Sequence, residues 1–184
     1  PQLFAKYLDE LGRTDDVVLN TGVTNATIAT TLDQIEPRLM RYRPDVVMIM
    51  LGTNDSSNRG ENTVTGEASA NLHGITVEQY KERYKELIGK VHETNKDASV
   101  VLRVPCPMVG QTLTPHEGYK EKFAAIYEIA EEMRADIPGL NIAVVDHHQE
   151  WENYRDTGRN DNLTTSGYGW LVNDGVHPNG RGNI

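Results

Sequence analysis

The sequence predicts an α/β fold in which helices pack on both faces of a parallel β-sheet. Short runs of aliphatic and β-branched residues alternate with longer segments whose apolar residues recur every three or four positions. The run at 45–51, DVVMIML, is apolar on both of its faces, as expected for a strand buried between two layers. This alternation is typical of a three-layer α/β/α sandwich wound right-handedly.

The elements follow one another in a regular order. The predicted helices are residues 2–12, Thr27 to Tyr42, the segment from the Thr76–Gln79 capping box to Val91, and the segment from Thr114 and Pro115 to about Asp136. The predicted strands are residues 15–20, 45–51, 99–104 and 141–146. No internal repeat or linker interrupts them, so residues 1–184 are predicted to form one domain. The polar stretch 55–75 is predicted to be a loop on the substrate side.

Composition excludes several classes of protein. Hydrophobic residues make up 38% of the chain and charged residues 24%, which is typical of a globular domain. A net charge of −9 without Lys/Arg clusters argues against a nucleic-acid partner. The longest apolar run, Val46 to Leu51, is far shorter than the roughly 20 residues of a membrane span. The single cysteine, Cys106, rules out an intramolecular disulfide and leaves the compartment open.

Two strand ends carry residues suited to acyl transfer. In parallel α/β sheets, ligands bind beyond the carboxyl ends of the strands. In LGTND (51–55), Gly52 permits a sharp exit and Asn54 can present a carboxamide to a developing oxyanion, although Asn and Asp also favour plain turns. In NTGVTNATI (20–28), the backbone N–H of Gly22 can approach a bound group closely, or Gly22 is simply a turn residue before a helix.

The segment DGVHP pairs a carboxylate with an imidazole. Asp174 lies three residues before His177, and Pro178 biases His177 away from helical geometry. Asp174 can accept the proton of one ring nitrogen and leave the other as a general base. The alternative is a surface turn rich in Asp, Gly, Asn and Pro.

Together these segments resemble the SGNH, or GDSL-type, hydrolases. NTGVTNATI is similar to the family's glycine block, LGTND to its asparagine block, and DGVHPN to its C-terminal Asp-x-x-His block, in the same order along the whole chain. The resemblance implies a flavodoxin-like α/β/α sandwich and a serine esterase that needs no cofactor or metal. It implies that Gly22 and Asn54 form the oxyanion hole and that Asp174 orients the base His177. We expect Gly22, Asn54 and His177 to converge on one crevice.

The family's Gly-Asp-Ser nucleophile block is absent, because none of the five serines follows Gly-Asp. The resemblance implies that the nucleophile precedes Pro1. Because the first residue is not Met and the final NGRGNI is typical of the start of a helix, we also expect the chain to be a window truncated at both ends. The resemblance also implies that a first strand is missing between 15–20 and 45–51. We therefore expect another segment, or another chain, to fill that gap, and direct pairing of 15–20 with 45–51 would contradict this.

Other candidates for the nucleophile are weaker. Ser56 leaves the wrong strand, and Cys106 is better explained as a free structural thiol than as a reactive thiolate. The adjacent His147 and His148 point in different directions, so no metal site is predicted.

The predicted substrate is a small-molecule or glycan ester carrying a short acyl group, such as acetyl on a sugar. Asp55, Ser56 and Trp170 are the predicted substrate contacts, and Trp170 either stacks on a sugar ring or packs its own segment. A glycan substrate would favour an extracellular location, while the oligomeric state stays open. The alternatives are a glycan-binding or structural module that has lost its nucleophile, and a nucleotide binder. The nucleotide binder is disfavoured because no Gly-rich phosphate loop is present.

Overall fold

The computed structural model describes residues 2–56, 74–106 and 118–150. Its helices are α1 (Gln2–Glu10), α2 (Ile28–Asp33), α3 (Ile35–Arg38), a 3₁₀ turn at Met40–Tyr42, α4 (Val77–Thr94) and α5 (Tyr119–Asp136). Its strands are β1 (Val46–Ile49), β2 (Ser99–Val104) and β3 (Asn141–Asp146). All three strands are parallel and lie in the order β1-β2-β3. The predicted α/β fold class is confirmed.

The core lies between one face of this sheet and the helices α4 and α5. Val47 of β1 is aligned with Val100 of β2, which is aligned with Ile142 of β3, and all three are buried. Helix α4 contributes Tyr80, Tyr84, Leu87, Ile88 and Val91 to the same core, and α5 contributes Phe123, Ile126, Ile129, Ala130 and Met133. The side chain of Lys81 on α4 also reaches Glu128 and Glu132 on α5, at 2.9 and 2.7 Å.

The other face of the sheet carries apolar side chains that the described helices do not cover. Val46 is 53% exposed, Met48 46% and Val145 42%. Helix α1 forms as predicted, but none of its residues is buried. Within the described part of the chain, the sheet is therefore covered on one face only.

The predicted strand at 15–20 is wrong. Residues 16–20 have no regular secondary structure, and Val17 and Leu19 are 81% and 52% exposed. An apolar β-branched run becomes a strand only when a neighbouring strand supplies hydrogen bonds, and no described segment does so here. Since β1 pairs only with β2 among the described strands, 15–20 and β1 do not pair directly. That another segment fills the position beside β1 stays a prediction.

The predicted helix from Thr27 to Tyr42 is broken into three pieces. Helix α2 ends at Asp33, and Pro37 lies inside the next short helix. In one continuous helix the ring of Pro37 would clash with the carbonyl of Asp33, and its missing N–H would leave that carbonyl unpaired. Proline therefore splits a segment whose apolar periodicity alone favours a single helix.

Other local signals act as expected. Thr76 and Gln79 form the reciprocal capping box at the start of α4, with N–H···O distances of 3.2 and 3.0 Å. Helix α5 ends at Asp136 as predicted. Its predicted start at Thr114 and Pro115 lies outside the described residues. In the described range the helix begins at Tyr119, and Gly118, with φ +83°, is its N-cap.

Candidate active site

The carboxyl end of β1 makes a sharp exit at Gly52. Its φ of +126° is a conformation that other residues rarely adopt. A Cβ at this position would lie 2.6 Å from the hydroxyl oxygen of Tyr80, which donates a hydrogen bond to the carbonyl of Leu51 at 3.2 Å. The backbone that follows β1 thus approaches α4 at a point where only glycine fits.

Gly52→Ala should therefore destabilise the protein by at least about 2 kcal/mol, through backbone strain and displacement of the buried Tyr80 ring. Urea denaturation would measure the loss. Gly89→Ala in α4 is the matched control, because a Cβ there meets no atom within 4 Å apart from the neighbouring backbone of its own helix. Equal unfolding midpoints for the two variants would contradict this account of Gly52.

Asn54 binds directly to the segment that carries Gly22. Its side-chain Nδ2 donates to the carbonyl of Ala26 at 3.0 Å, across 28 residues of sequence. Asn54 is half-buried, so its carboxamide lies at the boundary between the core and the carboxyl edge of the sheet. The structure thus joins the asparagine segment to the glycine segment through this one hydrogen bond.

Gly22 itself lies in an exposed loop. Its backbone N–H donates to Oδ1 of Asn20 at 3.1 Å. A turn between Val23 and Ala26 follows, in which the N–H of Ala26 donates to the carbonyl of Val23 at 3.2 Å. The N–H of Gly22 can therefore donate to an oxyanion only if the oxyanion takes the place of the Asn20 side chain as the acceptor.

Asp55 and Ser56 are completely buried. Oδ1 of Asp55 accepts a hydrogen bond from the backbone N–H of Ile28, the first residue of α2, at 3.0 Å. Both were predicted to contact substrate. The structure instead places both side chains in the protein interior, where Asp55 joins the exit of β1 to the start of α2.

Burial raises the pKa of Asp55 to about 6, because a buried carboxylate loses hydration. The bond from Ile28 and the positive charges of Arg83 and Lys122 oppose this rise. Lys122 of α5, which was not predicted from the sequence, has a buried side chain. A signal was present, since Lys122 falls on the same helical stripe as Tyr119, Phe123 and Ile126. Desolvation lowers the pKa of Lys122, and the charge of Asp55 opposes that change.

Stability should depend on pH through Asp55. Since the pKa of Asp55 is raised on folding, its contribution to stability is present below about pH 4 and is lost as pH rises through about 6. The free energy of unfolding of Asp55→Asn, relative to that of the wild type, should therefore increase by an amount on the order of 3 kcal/mol between pH 4 and pH 8. Urea midpoints of both proteins across that range would measure it. A difference that does not change with pH would contradict the raised pKa.

Two further polar groups lie at the same edge of the sheet. Cys106 follows β2 and is half-buried, and burial raises the pKa of its thiol, which does not favour a thiolate nucleophile. After β3, Nε2 of His147 accepts a hydrogen bond from Nε of Arg103 at 2.8 Å. Burial and the Arg103 charge lower the pKa of His147. Among the described residues, no group of three His, Cys, Asp or Glu side chains is placed to hold a metal ion.

The remaining predicted site residues, Asp174, His177 and Trp170, lie outside the described residues, so their convergence with Asn54 stays a prediction. Two of the five serines are described. Ser56 is buried, and Ser99 begins β2 at the opposite edge of the sheet, where its hydroxyl accepts from Nδ2 of Asn141 at 2.8 Å. Neither described serine is placed to act as the nucleophile.

The order of these segments agrees with one known family. The GDSL-like Lipase/Acylhydrolase family matches this chain over residues 1–183. The chain belongs to this family. The GDSL-like chain is also 30% identical, over 104 residues, to an uncharacterized protein of Mycoplasma pneumoniae. That match covers 55% of this chain and spans only 11% of the length of the curated relative.

Solved structures share the fold of this GDSL-like chain. An acetyl xylan esterase, AlAXEase, superposes with a TM-score of 0.72 at 19% identity, over 99% of this chain and 83% of its own. A GDSL-like lipase, described as putative, from Parabacteroides merdae gives 0.71 at 20% identity, over 96% and 72%. The acetylxylan esterase Axe2 from Geobacillus stearothermophilus gives 0.62 at 20% identity, over 90% and 66%. At these identities the likeness establishes the fold.

No helix in the described ranges is both long enough and apolar enough to cross a membrane.

Proposed function

We propose that this GDSL-like chain belongs to an ester hydrolase that works by serine acyl transfer. The observation that carries the proposal is the hydrogen bond from the Asn54 side chain to Ala26, which fixes the carboxamide against the Gly22 segment at the carboxyl edge of a parallel sheet. Two kinds of hydrogen-bond donor, the side-chain amide of Asn54 and the backbone N–H of Gly22, thereby lie on neighbouring segments. An oxyanion hole for a tetrahedral intermediate has this composition.

Each proposed group has one role. The serine attacks the ester carbonyl, while His177 accepts its proton and Asp174 orients the imidazole. The resulting oxyanion is stabilised by Asn54 and the N–H of Gly22. His177 then protonates the leaving alcohol. In the second half of the reaction, water attacks the acyl-enzyme while His177 accepts its proton, and His177 returns that proton to the serine as the acid is released. The bond to Ala26 orients the carboxamide of Asn54 at the carboxyl edge of the sheet.

The acyl group that suits this site is short, with acetyl on a carbohydrate as the proposed substrate. Two of the structural neighbours are described as acetyl xylan esterases, which supports this choice. The acidic chain, with its net charge of −9, also suits a neutral glycan ester better than an anionic one. Trp170 is the proposed stacking partner of the sugar ring.

One observation favours a second candidate, a glycan-binding module without hydrolytic activity. The N–H of Gly22 already has an acceptor in the Asn20 side chain, and neither described serine lies at the site. Such a module would keep the fold and bind the same carbohydrate.

Acetate release from acetylated xylo-oligosaccharides by the natural protein would separate the two candidates. The enzyme should release acetate, should hydrolyse p-nitrophenyl acetate at least tenfold faster than the octanoate, and should be labelled on one serine by a fluorophosphonate. Peptide mapping would locate that serine. Binding of the oligosaccharide with neither acetate release nor labelling would refute the enzyme and favour the binding module.

A further inference from the structure

We propose that Asp55 is a positioning residue whose buried carboxylate holds the start of α2, and the Gly22 segment that precedes it, in place beside Asn54. Its effect on turnover rests on the proposed function. Its effect on the geometry of the site rests on the hydrogen bonds alone. Asp55 would touch no substrate atom, so its role differs from that of Asn54.

The Gly22 segment is attached to the exit of β1 at two points. Asn54 donates to the carbonyl of Ala26, and Asp55 accepts from the N–H of Ile28. A single hydrogen bond would allow the segment to pivot about it. Here Asn54 donates one bond and the next residue, Asp55, accepts the other. Their partners lie two residues apart, so the pair of bonds fixes both the distance and the orientation of the segment.

Local capping does not replace the Asp55 bond. Thr27 is the N-cap of α2, but its side chain accepts from the N–H of Thr30, and the hydroxyl of Thr30 in turn accepts from the N–H of Thr27. The N–H of Ile28 is thus left to Asp55. Helix α2 has only six residues, so its position depends on tertiary contacts rather than on its own stability.

Side chains from two helices interact with the buried carboxyl group of Asp55. Tyr80, Tyr84 and Arg83 face it from α4, Lys122 faces it from α5, and α2 presents its N-terminal end. The cations and the helix end favour the carboxylate, while burial favours the acid. Oδ1 accepts from Ile28, and Oδ2 has no donor among the described residues, so a proton on Oδ2 would leave the Ile28 bond intact.

Activity measurements on three variants test the proposal. Asp55→Ala removes the acceptor, and the misplaced Gly22 segment should lower kcat on p-nitrophenyl acetate by about 10²-fold per folded molecule, with KM changed less than about threefold. Asp55→Asn keeps an acceptor oxygen and should retain kcat within about threefold. Asp45→Ala, an exposed carboxylate at the opposite edge of the sheet, is the control and should leave kcat unchanged. Wild-type kcat in folded Asp55→Ala would overturn the proposal.

A second readout does not need esterase activity. In ¹⁵N–¹H NMR spectra, the amide signal of Ile28 should titrate with a midpoint near pH 6 in the wild type and should not do so in Asp55→Asn. In Asp55→Ala, the signals of the Gly22 amide and the Asn54 carboxamide should both shift, and unchanged positions would overturn the proposal.

The two readouts separate the proposals. If Asp55→Ala does not fold, the Asp55→Asn spectra decide, because an Ile28 titration that persists without the carboxylate also overturns it. If the signals shift as expected but the wild type hydrolyses no ester, the proposed function fails and the positioning role of Asp55 stands.

Discussion

Replacing His177 with alanine should lower ester turnover by about 10⁴-fold or more. His177 is the proposed general base, and without it the serine hydroxyl keeps its proton at neutral pH. The residual rate would come from the oxyanion hole and substrate binding. Steady-state hydrolysis of p-nitrophenyl acetate by the natural protein would measure the loss.

His92 offers a matched control for this change. It lies in the last turn of α4, near the amino ends of the strands and away from the proposed site. His92→Ala should keep full turnover. Added imidazole should restore part of the activity of His177→Ala and leave His92→Ala unaffected. Turnover of His177→Ala within tenfold of the wild type would show that another group is the base.

Replacing Asn54 with alanine should lower kcat by roughly 10²–10³-fold, which is the loss of one oxyanion donor, or about 3–4 kcal/mol of transition-state stabilisation. KM should change little, because the carboxamide acts most strongly on charge that develops only in the transition state. Stability should also fall, by about 1 kcal/mol, because the hydrogen bond to Ala26 is lost. Kinetics and urea denaturation on the same samples would separate the two effects.

Asn95 provides a control of the same chemistry. Its Nδ2 donates to the carbonyl of Pro44 at 3.1 Å, as that of Asn54 donates to Ala26, but it lies at the opposite edge of the sheet. Asn95→Ala should therefore lose similar stability and keep its turnover. If the two variants had equal kcat, Asn54 would be a structural residue and the oxyanion assignment would be wrong.

Elements with strong local signals were predicted correctly from the sequence. The capping box at Thr76 and the apolar stripe that follows it define α4, because capping and helical periodicity act over a few neighbouring residues. Strands 99–104 and 141–146 were predicted at the bounds that the structure shows, since both are short β-rich runs between polar segments. Parallel pairing followed from the helices that connect them.

Two elements differ from the sequence prediction, one because it depends on a distant partner and one because of a local proline. Residues 15–20 have the composition of a strand but no described neighbour to pair with, and composition cannot supply hydrogen bonds. The apolar periodicity predicts one helix from Thr27 to Tyr42, and Pro37 divides it because the proline ring does not fit in a continuous helix.

The sequence by itself determined the family blocks, the order of the elements and the identities of Asn54 and Gly22 as candidates, because these are properties of short segments. Only the tertiary structure decided which of those segments form hydrogen bonds with each other and which side chains are buried. It joined Asn54 to Ala26 and Asp55 to Ile28 across 28 and 27 residues. It also buried Asp55 and Ser56, which the sequence predicts as substrate contacts. The physical reason is that burial and long-range hydrogen bonds arise from the meeting of β1, α2, α4 and α5, and no local pattern encodes that meeting.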